Sequence, residues 1–421
     1  MASRLEKTEM RFPQQNRKPR HARVEYLETR TLMAGDVMAG VANGALVIQG
    51  DELDNHVLIE AGEQEGSYVI SGLLDAEGND TTVNGEASVM IDGVTRGILA
   101  NMRAGNDRVG VKGVEVHGNL LVNGGRGHDD IDVLDSTVAR NAVLRMGSGH
   151  DTAHVTGSNI AGNLIIGGRP QRPPTPPPTP VGEGSSTGGD TAVEAEATEG
   201  IPPASIVGVA GTDVGRHLTI KTGWSRDEIN VVGTKAGAGI GIHTGAGHDD
   251  VNIGESKTGR LHVGTGLGDD AVSLAGVTTR KGTSIRGGRG SDDLQVADSN
   301  LGRLAVFGGD GPMDHVMLVG STVRGPLVVR GGAGTDSVEL ANMEVQGPTF
   351  INTGPGEDSV RVVDSTFARM FMAHTGADDD HASVFGSKFA GPVILHGGLG
   401  EDTLKENNNQ FQNVFLEDFE L

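Results

Sequence analysis

The chain has 421 residues, and its 56 acidic and 34 basic side chains give a formal charge of −22. That balance argues against a nucleic-acid partner, which needs a basic face. The absence of cysteine excludes a disulfide scaffold, a thiol enzyme and a thiolate metal site. Glycine is abundant at 67 residues without a collagen period and aromatics make up 3%, in a chain still 36% hydrophobic, which points to many tight turns between short apolar segments.

Residues 1–40 read as a basic, disordered export or sorting segment, since residues 1–32 hold eight Lys or Arg against four Glu. No apolar h-region of a signal peptide follows them, and no stretch of the chain approaches the roughly 18 to 20 apolar residues that span a bilayer. Inside this head stands Val24-Glu25-Tyr26-Leu27-Glu28-Thr29-Arg30-Thr31-Leu32-Met33-Ala34-Gly35-Asp36. Leu27, Glu28, Arg30 and Leu32 match the LEPR-XLL motif, with Thr29 in place of Pro and Met33 in place of the second Leu. The segment resembles the N-terminal signature of large, repetitive, adhesin-like surface proteins of planctomycete-type bacteria. That resemblance implies export, with an extracellular or cell-surface location, and no reaction.

Residues 41–100 are strand-rich but keep no regular period, and they are expected to form an N-terminal β cap. Over residues 101–421 a Gly-rich turn ending in Asp returns at a nearly fixed interval. Its aspartates are Asp107, Asp129, Asp151, Asp227, Asp249, Asp270, Asp292, Asp314, Asp336, Asp358, Asp380 and Asp402, spaced by 22 residues apart from one interval of 21 and one of 76. Counted from each Asp, apolar residues fall two, four, nine, thirteen and fifteen places later: Val109, Val111, Val116, Leu120 and Val122 in one turn, Val360, Val362, Phe367, Phe371 and Ala373 in another. Alternation within each segment is the period of a strand, not of a helix. The fold class that follows is all-β: a single-stranded parallel β-helix of about 22 residues per turn with three faces, right-handed by the usual preference of parallel crossovers.

The long interval equals two turns plus an insertion. Residues 169–203 contain Arg172-Pro173-Pro174-Thr175-Pro176-Pro177-Pro178-Thr179-Pro180, a composition expected to be disordered and expelled at a corner. The repeat resumes with Ser205 in the corner place, and residues 406–421 are expected to cap the far end.

Four corners read G-G-x-G-x-D, ending at Asp129, Asp292, Asp336 and Asp402, and most others keep G-x-G-x-D. This half-motif resembles the calcium-binding nonapeptide of RTX proteins, in which Asp carboxylates and loop carbonyls coordinate Ca²⁺. The resemblance implies calcium at Asp107, Asp129, Asp151, Asp249, Asp270, Asp292, Asp336, Asp358 and Asp402, stacked as a negative column along one edge. The alternative is geometric, with Gly supplying positive φ and Asp capping backbone N–H groups. His128, His150 and His248 precede corner aspartates, but Ser, Thr, Glu and Asp fill the same place in other turns, so they read as solvated loop residues. Trp224 stands alone on a corner.

The residue fourteen after each Asp lies between two inward positions and is expected to face out, yet it is apolar at Leu121, Val143 and Ile165 and again at Val306, Val328, Phe350, Met372 and Ile394. Either a segment of this chain covers that column, or it is a partner or self-association surface. Two residues further on, Arg145, Lys221, His243, Arg286, Arg330, His374 and His396 form a column that is either a charge-balanced solvated face or a binder of acidic glycans. No off-repeat constellation of carboxylates and bases appears, so a polysaccharide lyase or hydrolase is the rival to the main expectation. That expectation is a non-catalytic, exported, adhesin-like solenoid binding a cell-surface or matrix component or itself.

Overall fold

Alternating Val, Ile and Leu with polar residues gives each segment one apolar face, and a strand of five or seven residues cannot bury that face alone. In the computed structural model every regular element among the described residues is a β-strand. The structure describes residues 35–75, 78, 80–167 and 205–419. Of the expected disordered head 1–40, residues 1–34, with most of the LEPR-XLL-like segment, lie outside the described residues, as does the Pro-rich insertion, whereas residues 36–40 are ordered in the strand Asp36–Ala42.

Each coil is built from three strands, as in Arg108–Lys112, Glu115–Val116 and Leu120–Arg126. Each pairs in parallel with its equivalent in the next coil: Val109 faces Ile131, Val116 faces Val138 and Leu120 faces Ala142, all 22 residues apart. In several coils the second and third strands run together, as in Lys235–Ala246 and Lys388–Leu399. About thirteen coils stack this way into a parallel β-solenoid. The ladder crosses the insertion without a slip, with Asp151 opposite Ser205 and Leu164 opposite Leu218.

Asp36–Ala42 pairs antiparallel with Ala45–Gln49, and Tyr68–Gly72 lies between His56–Ala61 and Ser88–Ile91 in antiparallel fashion. Ala45–Gln49 and His56–Ala61 already pair in parallel with the coil that follows, so the first coil begins inside the stretch expected to be cap alone. At the other end Gln410–Glu417 still pairs in parallel with Lys388–Leu399.

The inward positions counted from the corner aspartates line one continuous core, in which Val109, Val111, Val116, Leu120 and Val122 are fully buried. Near the C-terminal end Phe367, Phe389 and Phe411 stack coil on coil with ring centroids 5.1 Å apart, and Phe371 packs edge-on against Phe367 at 4.7 Å.

Candidate functional site

The corner motif positions its Asp through backbone that side chains resist. Gly125 and Gly127 have φ of 125° and 131°, and a Cβ on either would overlap a carbonyl of the preceding coil, Arg103 O or Gly105 O. The aspartate that follows turns inward. All twelve corner aspartates are between 1% and 4% exposed, so they form no negative column on the surface.

One oxygen of each carboxyl stitches two coils together. The backbone N–H of Asp107 donates to Asp129 Oδ1 at 3.1 Å, that of Asp270 to Asp292 Oδ1 at 3.0 Å, and that of Asp380 to Asp402 Oδ1 at 2.9 Å. Asn55 donates its N–H to Asp107 Oδ1 and starts the series. At the insertion the series is broken: Asp227 Oδ2 accepts the N–H of Gly223 in its own corner at 3.2 Å, and its Oδ1 has no hydrogen-bond partner.

The other oxygen has no partner in ten corners, among them Asp107, Asp129, Asp249 and Asp292. At eight of these, burial pushes the carboxyl up, to about 7 at Asp107 and Asp129, about 8 at Asp249 and Asp292, and about 6 at Asp270, Asp336, Asp358 and Asp380. Lost solvation is the main cause, opposed by the hydrogen bonds that each accepts. Asp151, Asp227 and Asp314 are raised for the same reason.

The residue five places before the corner Asp sits against that second oxygen. Where it is Thr, its hydroxyl donates to a carbonyl in the next coil, as Thr244 does to Thr265 O at 3.0 Å and Thr375 to Gly397 O at 2.8 Å. Where it is Gly, the carboxyl occupies the space: a Cβ on Gly331 would overlap Asp336 Oδ2 and lie 2.8 Å from Thr353 O.

Calcium needs six to eight oxygens. Ten corners offer one unpartnered carboxylate oxygen, and the other oxygen there already faces an N–H that a cation would have to displace. The carboxylate oxygens at the nine aspartates expected to hold calcium do not by themselves make up that shell.

Two further stitches run along the coil and were missed in the repeat. Six places after the corner the chain turns through positive φ, at Asp135 (47°), Gly157 (61°) and Asp298 (47°). In most coils the next residue is a buried Ser or Thr; the Ser Oγ accepts the N–H of the coil before, Ser136 N–H to Ser158 Oγ at 3.1 Å and Ser299 N–H to Ser321 Oγ at 3.0 Å, while Thr212 and Thr234 donate to a carbonyl of that coil, Val155 O and Val209 O, each at 3.2 Å. The recurring dipeptides Asp135-Ser136, Gly157-Ser158 and Asp364-Ser365 were the available signal. Asn119, Asn141 and Asn163 form a third ladder through their Oδ1 atoms.

The corner histidines lie outside this spine. His150 donates its N–H to His128 Nδ1 at 3.0 Å, and His248 Nδ1 lies 3.7 Å from Asp269 Oδ2. Trp224 is half exposed on its corner. Asp130, Asp132 and His154 bring possible ligand atoms together on the opposite sheet. Arg108 already sits 3.4 Å from Asp130 and 3.3 Å from Asp132, and His154 sits 3.4 Å from Asp132, so the group is an ion-pair network. The His154 hydrogen bond holds Asp132 below the usual carboxylate range, and Asp132 raises His154 in return.

The outward column is real, with one correction. Leu121, Val143, Val328, Phe350, Met372 and Ile394 are half-buried on the outer side of the third strand, and Ile165 is exposed. Val306 is instead fully buried, and Ala305 takes the outward place opposite Val328. In that coil the third strand starts at Leu304, one residue early, and the loop before Asp314 is one residue longer, so the two changes cancel in the spacing of the aspartates. In the column beside it, Phe307 lies between Arg286 and Arg330, whose guanidinium carbons are 5.1 and 5.9 Å from its ring centre.

Compared with protein-family models, curated proteins and solved structures, the chain matches none.

Proposed function

We propose that the chain is an exported structural solenoid, a surface or matrix component of the adhesin type that acts by presenting its faces and not by catalysis. The observation that carries this reading is where the repeated polar chemistry goes. Corner aspartates, Ser and Thr hydroxyls and Asn amides each hydrogen-bond the neighbouring coil, so they are distributed along the rod instead of converging on one reacting centre. The LEPR-XLL-like segment supports export to the surface. In this reading the corner column stiffens the rod through N–H bonds and held protons.

Protease treatment of intact producing cells tests the location: loss of the protein supports it, and protection until lysis overturns it. Incubation of the purified chain with uronate polymers tests the rival class, since release of reducing ends or unsaturated sugars would make it a carbohydrate-active enzyme. A saturable heat on calcium addition, with a large rise in Tm, would restore the ion at the corners.

A further inference from the structure

The acidic composition conceals a sharp separation of charge. The bend before the third strand and that strand itself occupy ten residues in each of thirteen coils, from 95–104 to 390–399; the last coil, after Asp402, departs from the pattern with Glu417 and Asp418 at its end. These stretches hold sixteen of the twenty-four Lys and Arg among the described residues and a single acid, Asp310. Their net charge over the described residues is 16 − 1 = +15, on a chain whose formal charge is −22.

All sixteen cations are exposed, and none forms an ion pair with another described residue. The Lys and Arg ion pairs among the described residues belong to Arg108, Lys235 and Arg361, which lie elsewhere on the coil. Two of the guanidinium groups are held along the rod by carbonyls two coils away, Arg280 by Gly237 O and Arg324 by Thr279 O, each at 2.7 Å. Arg286 and Arg330 flank Phe307.

We propose that this face is a track for an extended acidic polysaccharide, carboxylated or sulfated, lying along the rod axis. The proposal deepens the reading of the chain as a surface-acting scaffold and rests on it. A row of like charges left unpaired on an otherwise acidic protein attracts a polyanion and releases its counterions. Coils repeat at ~4.8 Å, so an extended sugar chain advances by about one ring per coil. The half-buried apolar column, two residues away on the same strand, offers a surface for the C–H faces of those rings, and Asn123 and Asn352 stand in the cation column as partners for hydroxyls. Single-stranded nucleic acid is disfavoured because it stacks successive bases on aromatic side chains, and the only ring in the cation column apart from histidines is Phe307.

The test is binding of the full chain to polygalacturonate and to heparin, with dextran and duplex DNA of matched charge alongside, by calorimetry from 50 to 300 mM NaCl. Saturable binding of at least one acidic polymer, falling steeply with salt, and no binding of dextran are expected. Arg286→Glu with Arg330→Glu should weaken it at least about tenfold and shallow the salt slope by roughly two. Arg286→Gln with Arg330→Gln provides the same test without added acid, and circular dichroism confirms that both variants fold. Absence of acidic-polymer binding at 50 mM salt, or binding unchanged by both double variants, overturns the proposal. Displacement of the polysaccharide by an equal charge of duplex DNA overturns it in favour of nucleic acid. These outcomes are independent of the protease test of location, so the ligand and the export reading fail separately.

Discussion

Replacing Asp292 with Asn separates a proton-holding corner from a charged one. Asp292 is 2% exposed, accepts the N–H of Asp270 on Oδ1 and leaves Oδ2 without a partner. Lost solvation, reinforced by the charges of Asp270, Asp314 and Asp269, pushes it up from 3.8 to about 8. A carboxyl raised on folding keeps a proton that the unfolded chain has released, so its stabilisation is full below the unfolded value and is lost as pH rises towards the folded one. Between about pH 4 and pH 8 one such group contributes a slope of about −1.4 kcal/mol per pH unit. Asn keeps the acceptor oxygen and the shape but cannot ionise. Asp292→Asn should therefore match the parent to within about 1 kcal/mol at pH 4 and exceed it by on the order of 4 kcal/mol by pH 7. Urea denaturation from pH 4 to 8.5 reads the difference. A variant less stable than the parent by the same amount at every pH would show that the carboxylate is charged and useful as such, and would refute the reasoning.

The register correction is tested by a matched pair: Val306→Glu should destabilise by at least about 3 kcal/mol, as a buried unpaired charge does, while Ala305→Glu should leave the melting temperature nearly unchanged. Ser299→Ala deprives the N–H of Val277 of its acceptor at 3.0 Å and should cost about 1–2 kcal/mol in a denaturant titration. Phe389→Ala opens the stack between Phe367 and Phe411 and should cost about 3–5 kcal/mol, with the loss of amide-exchange protection concentrated in the last coils.

The coil was legible because its physics is periodic. An apolar residue two, four, nine, thirteen and fifteen places after an Asp has no helical explanation, and in most coils those five positions are the core. The slip at Val306 was illegible because two compensating one-residue changes leave the Asp-to-Asp distance at 22. The corner Asp was legible as a position but not as a direction. Whether its carboxylate faces water or the coil above depends on where the N–H of the previous Asp points, and a motif does not state that. The Ser and Thr ladder was equally regular, but small hydroxyl residues next to Gly or Asp read as ordinary turn composition until their Oγ atoms are seen to face the coil before. The basic face was legible as one column, Arg145 to His396, but not in its full width, because a whole-chain charge of −22 averages over faces that only the coil register separates.

The corner spine is tested most directly by thermal melts of the full chain at pH 5 and pH 8, each with and without millimolar calcium. Protonated, hydrogen-bonded corners predict a higher Tm at pH 5 and no saturable shift with calcium at either pH. A Tm that is higher at pH 8 and climbs to a plateau with calcium would contradict the account and make the column an ion ladder.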